Sequence, residues 1–215
     1  MLQSVQEAAS VVGMTGVGLR ERKKSETRRA IAGVALQLAI ERGPDAVTVE
    51  DIAAAADVSP RSVFNYFGTK DQAILGLDPS VRTEILEQLT ERPAEETPLE
   101  ALAAVLTRRM TGGDDDGRIW RARAELVRQH PRLRAAQVTS QAALEQELTL
   151  VVAQRTGLDP ERDAYPALVV AVALSALRNV LGRSRAGNRQ QLASEIDEAF
   201  ALLATGLAPV GRGRR

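Results

Sequence analysis

The sequence predicts an all-α fold in two helical units, a small one near the N-terminus and a larger one behind it. Three observations predict it. Of the 215 residues, 44% are hydrophobic but only 3% aromatic, and Ala, Leu, Val, Glu and Arg recur in helical spacing, which suits packed helices rather than a sandwich or barrel. Apolar residues repeat at i, i+3, i+4 and i+7, not in alternation. Gly, Pro and Asp breakers cut the chain into short segments up to residue 76 and longer ones beyond it.

The first helix is expected over 22–42, where Ile31, Val34, Ala35 and Leu38 form one apolar stripe; Gly43 and Pro44 stop it. Thr48 opens a short second helix, with Thr48-Val-Glu-Asp51 in the layout of a capping box. Ser59-Pro60 opens a third that ends near Phe67: the serine caps, and the missing proline N–H costs nothing at a helix's first position. Thr69 caps a fourth, through Leu75. Helices are then expected over 80–91, 98–111, 118–130, 133–155, 160–185 and 189–207, with breaker loops at 92–97, 112–117 and 157–160. The organisation that follows is a flexible extension 1–18, in which Met14 is a second candidate start, a unit 19–76, a unit 77–208 and a flexible basic tail 209–215.

Composition excludes several classes of function. The 28 basic residues are matched by 28 acidic ones, so any surface for nucleic acid must be local. Without cysteine there is no disulfide framework, thiolate nucleophile or zinc knuckle, and one histidine, His130, is too few for most metal or triad schemes. No nucleophile–base pair or Gly-rich phosphate loop is present, so no catalytic residue, metal site or cofactor is expected. The first residues carry Glu7 and no basic leader, and no uninterrupted apolar run reaches the roughly 18 residues of a membrane span; the expectation is a cytoplasmic protein with no membrane partner.

Two short helices separated by a tight turn and backed by a longer first helix are the sequence image of a helix-turn-helix. The second of the pair would enter the major groove of double-stranded DNA by its N-terminal end. That makes Arg61, Ser62 and Asn65 the candidates for base reading, since Arg bonds guanine bidentately and Asn bonds adenine. Thr48, Ser59, Pro60, Tyr66 and Lys70 lie at helix starts or flanks, where hydroxyls, free N–H groups and an ammonium hold phosphates. Between Leu19 and Arg29, six basic residues (Arg20, Arg22, Lys23, Lys24, Arg28, Arg29) stand against Glu21 and Glu26, an excess of +4 suited to the DNA backbone or a minor groove.

The stretch Thr48-VEDIAAAADVSPRSVFNYFGTKDQAIL resembles the signature of the TetR family of bacterial regulators. Asp57 replaces the usual turn glycine, and Asp tolerates the left-handed conformation; Phe64-Asn65 replaces a Leu-Tyr-type pair, so base preference does not transfer. The resemblance implies a homodimer on a near-palindromic operator, a small-molecule effector, and pairing of the last two long helices with their copies.

Both of those helices suit that pairing. Residues 166–181 are apolar almost all round, with Ala171, Ser175 and Gly182 allowing close approach, and the next helix carries Leu192, Ile196, Ala199, Phe200 and Leu203 on one face. A purely intramolecular core is the alternative. In 118–130, Ile119, Trp120, Leu126 and Val127 form an apolar face with Arg123 and His130 in its middle. A cation there needs a partner: an anionic or polar ligand head, or an acid such as Glu145, or water reached by snorkelling. Arg178 invites the same readings. The pattern WRARAELVRQHPRLRAA with ERDAYPALVVAVALSALR is similar to the sensor domains of an actinobacterial TetR subgroup, the mycofactocin-regulator-like proteins, which implies an acyl-CoA-like ligand. Expected ligand contacts are therefore Trp120, Arg123, Leu126, Val127, His130 and Arg178. A repressor released by ligand is the first reading, and a ligand-independent activator or architectural DNA binder the alternative.

Overall fold

The computed structural model describes residues 3–112, 118–184 and 188–207, with side chains from Arg22 onward except those of Arg118 and Trp120. The expected tail 209–215 and most of the expected loop 112–117 lie outside the described residues. All regular structure among the described residues is helical, in the order α1 (Gln3–Arg42), α2 (Val49–Ala55), α3 (Pro60–Phe67), α4 (Lys70–Leu75), α5 (Pro79–Thr90), α6 (Pro98–Thr111), α7 (Arg118–Gln129), α8 (Pro131–Thr156), α9 (Ala164–Arg183) and α10 (Arg189–Ala204). The chain divides into two compact units, Met1–Asp78 and Pro79–Arg215.

Two helix starts differ most from those the sequence suggests. α1 begins at Gln3 and not near Arg22; the first proline is Pro44, so nothing in residues 3–21 forbids the helix. α9 begins at Ala164 rather than 160. There the Asp163 carboxylate accepts from the Asp159 amide at 2.9 Å and the Asp159 carboxylate accepts from the Glu161 amide at 2.9 Å, so side chains hold a turn where the helix would otherwise start.

In the first unit α1 packs on α2 and α4, and α3 on both α2 and α4. Their core holds Ile31, Ala35, Leu36, Leu38 and Ala39 of α1, Val47, Ile52 and Ala53, Val63 and Phe67, and Ala73, Ile74 and Leu75. The second unit is a bundle in which α6 packs on α9 and α10, α8 on α9, and α5 on α6 and α8. Its core joins Ile85 and Leu89 (α5), Leu102, Val105 and Leu106 (α6), Leu148 and Val152 (α8), Val170, Ala173, Leu174 and Leu177 (α9), and Leu192, Ile196 and Phe200 (α10).

Polar fasteners close the bundle. Thr97 and Glu100 form a capping box at the start of α6. Arg155 near the end of α8 donates to the carbonyls of Arg92 at 2.9 Å, Glu96 at 3.0 Å, and Pro93, satisfying the α5–α6 loop from across the bundle. Arg82 Nε lies 3.1 Å from Glu147 Oε2, tying α5 to α8. α9 is long and apolar enough to span a membrane, and its Val170, Ala173, Leu174 and Leu177 are buried in this core.

Candidate nucleic-acid interface

The reading unit is built by two capped helices and a left-handed residue. At the start of α2 the Thr48 hydroxyl accepts from the Asp51 amide at 3.0 Å, and the Asp51 carboxylate accepts from the Thr48 amide at 2.9 Å and its hydroxyl at 2.6 Å. These Thr48 bonds, side chain before backbone, and then the charge of Arg42 hold the Asp51 carboxyl below the usual carboxylate range. Asp57, at φ 53°, turns the chain after α2, a conformation in which its short polar side chain is tolerated. Ser59 then caps α3, accepting from the Ser62 amide at 3.1 Å, with the two hydroxyls 2.9 Å apart.

Helical spacing divides α3. Val63 and Phe67, one turn apart, are buried on the core side. Pro60, Arg61, Phe64 and Asn65 are exposed, and Ser62 and Tyr66 are half-buried between the two faces. The structure therefore brings the expected base readers Arg61 and Asn65 together on one solvent-facing side, with the α3 N-terminus and its cap beside them. Arg22, Lys23 and Lys24 are exposed on α1, with Arg22 Nε 3.8 Å from Glu26.

Three residues were not legible in their observed roles. Arg28, which the sequence groups with the basic arm, is only 8% exposed. Its Nε lies 2.9 Å from Asp78 Oδ2, close enough to pair but poorly aligned for a hydrogen bond, and its guanidinium stands 5.6 Å from the centre of the Tyr66 ring. It is thus a brace beneath α3 and not part of a solvated arm. The available signal was its register: 28, 31 and 35 share the apolar stripe of α1. Lys70, expected at a phosphate, donates to the carbonyls of Pro44 at 2.8 Å and Val47 at 2.6 Å, so two of its three N–H groups serve the α1–α2 loop. Phe64, which the sequence marks only as a departure from the Leu-Tyr-type pair, stands three residues after Arg61, on the outer face, and is 50% exposed.

In the second unit Leu126 of α7 is buried, and Arg123, Val127 and His130 are half-buried alongside it. Trp120 lies in α7, with its side chain outside the described ones. Arg178 is exposed on α9 and donates to the Ser175 hydroxyl at 2.7 Å, so in a single chain it lies at the surface rather than in the bundle. On that surface α9 and α10 form an apolar groove of about 440 Å³, lined by Ala171, Val172, Ala176, Ala199, Leu202 and Leu203 among others.

A capped reading helix, seated on two others and presenting arginine and asparagine, defines a DNA-binding regulator of the helix-turn-helix class. The chain belongs to the TetR family: residues 31–75 match the family described as bacterial regulatory proteins, tetR family, and residues 96–208 match the MftR C-terminal domain. It is 35% identical to the HTH-type transcriptional regulator TcmR of Streptomyces glaucescens, over 78% of this chain and 76% of that protein. It is 29% identical to MftR of Mycobacterium tuberculosis, named for the regulation of mycofactocin biosynthesis, over 82% and 90% of the two chains. Among solved structures, Salmonella enterica GusR shares the fold with a TM-score of 0.54 at 19% identity, covering 85% of this chain and 95% of its own. SmeT in complex with triclosan does so with a TM-score of 0.51 at 18% identity, covering 88% and 98%.

Proposed function

We propose that this protein is a homodimeric, cytoplasmic repressor that leaves a near-palindromic operator when a small amphipathic, acyl-CoA-like ligand binds its second unit. The observation that carries the reading is the uncovered apolar face of α9 and α10. Leu168 (60% exposed), Leu202 (37%) and Leu207 (64%) stand in water beside a groove of small residues, and an isologous partner bringing the same face would remove them from it. Two copies place two α3 helices on one duplex, which is how a two-fold protein reads a palindrome.

In this reading Arg61 and Asn65 choose the sequence, assisted by Ser62. Arg22, Lys23, Lys24, Thr48, Ser59, Pro60, Tyr66 and the remaining N–H of Lys70 hold the backbone. Ligand control draws its support from α7, where Arg123 and His130 flank Leu126 and Val127, a cationic and polar pair beside an apolar seat; Trp120 and Arg178 complete the proposed contacts. A ligand releases DNA only by preferring a dimer whose reading helices no longer fit half-sites about 34–36 Å apart; equal binding to both states releases nothing.

The test is a gel-shift titration of operator-bound wild type and Arg123→Ala with long-chain acyl-CoAs and free fatty acids. Wild type should be released, and the variant should need a clearly higher concentration. Release of neither by any of these amphipathic anions would sink the ligand class and favour a ligand-independent DNA binder.

A further inference from the structure

Phe64 is placed where a hydrophobic side chain has no structural duty. Of the three phenylalanines, Phe67 and Phe200 are 1% and 5% exposed in the two cores, whereas Phe64 is 50% exposed. α3 is anchored without it: Val63 and Phe67 occupy the core side, each 1% exposed. Arg61, Phe64 and Asn65 follow the i, i+3, i+4 spacing of a single helical face.

We infer that Phe64 is a specificity-determining residue that reads the 5-methyl group of a thymine in each operator half-site. The inference rests on α3 being the reading helix. Arg61 and Asn65 present donors and an acceptor to base edges, and the N-terminus of α3 with the basic residues of α1 suits phosphates. A phenyl ring does neither: it has no donor or acceptor for the hydrogen-bond code and no hydroxyl for a phosphate. The apolar group that the major groove offers such a ring is the thymine methyl, which uracil and unmodified cytosine lack. Set between a guanine-competent arginine and an adenine-competent asparagine, Phe64 makes α3 demand a thymine as well as hydrogen-bonding bases. Covering a methyl also removes from water a ring that the free protein leaves half open.

The experiment uses the full chain without added ligand. Duplexes enriched by wild type from a random pool are resynthesised with each thymine replaced in turn by uracil, a change that deletes only the methyl. Binding of wild type, Phe64→Ala and Arg61→Ala is measured by fluorescence anisotropy, with thermal melting as the control for folding. Wild type is expected to lose about fourfold in affinity at one particular thymine of each half-site, the worth of one buried methyl. Phe64→Ala should bind thymine and uracil forms of that position alike, keep its melting temperature, and keep the other base preferences. Wild type indifferent to every thymine-to-uracil change, or Phe64→Ala still discriminating at the same position, overturns the assignment. Arg61→Ala separates the two levels of the argument: if it too leaves every base preference intact, α3 is not the reading helix. If wild type enriches no sequence, the operator reading falls and this one with it.

Discussion

Arg61 and Lys70 carry the same charge in different settings, one proposed to read bases and the other bonded to a loop. Arg61 is exposed near the N-terminus of α3, free to meet a guanine. Arg61→Ala should cost about 1–3 kcal/mol of operator affinity and relax preference at one position while leaving nonspecific binding nearly unchanged, as competition assays against mismatched duplexes will show. Lys70 spends its protons on the carbonyls of Pro44 and Val47, both buried residues. Lys70→Met removes those donors, and carbonyls left without a partner cost about 1–3 kcal/mol. The variant should therefore melt earlier, and its operator and random-duplex affinities should fall together. A Lys70→Met protein with wild-type thermal stability and weakened DNA binding would make Lys70 a phosphate clamp and no brace.

At the scale of the element, the short helices depend on their caps, because α2 has seven residues and α4 six and neither propagates enough hydrogen bonds to hold itself. The Thr48–Asp51 and Thr97–Glu100 boxes place a carboxylate on the N-terminal donors of α2 and α6, and in both cases the threonine hydroxyl, then its amide, lowers the carboxyl's proton affinity. A group whose pKa falls on folding stabilises the fold above its unfolded value, and that stabilisation is lost as the pH drops through the folded value. Melting temperature should accordingly decline on acidification below the usual carboxylate range. Asp51→Ala should melt lower than wild type at neutral pH and approach it as the medium becomes acid. A constant gap across that range would show that the box carries no ionic component.

At the scale of the whole molecule, the proposed dimer rests on the α9–α10 face. Ala176 lines its groove. An Ala176→Asp change puts a carboxylate where the proposed partner helix would pack, and an unpaired buried charge costs roughly 3 kcal/mol or more, on the order of a hundredfold in dimer dissociation. Sedimentation should find wild type dimeric and Ala176→Asp monomeric at micromolar concentration, with the variant's operator affinity falling to that of a half-site. A monomeric wild type would remove the interface.

The sequence by itself determined the helices and the class. Local chemistry suffices there: Ser59-Pro60 suits a helix start, Asp57 accepts a left-handed turn, and the apolar spacing of Ile31, Ala35 and Leu38 selects a face without knowledge of the partner. It also carried the outward pair Arg61 and Asn65, since one helix's periodicity settles which residues share a side. Only the tertiary structure decided what each charged or aromatic side chain meets. Arg28 joins the Tyr66 ring and Asp78 across 38 and 50 positions of sequence, Lys70 reaches carbonyls 26 and 23 residues before it, and Arg155 serves a loop some sixty residues earlier. Phe64 lies on the outer face of α3, while Val63 and Phe67 are buried. Such pairings arise when distant segments are packed together, and a long cation or an aromatic ring is compatible with too many local environments for its neighbours in sequence to choose one.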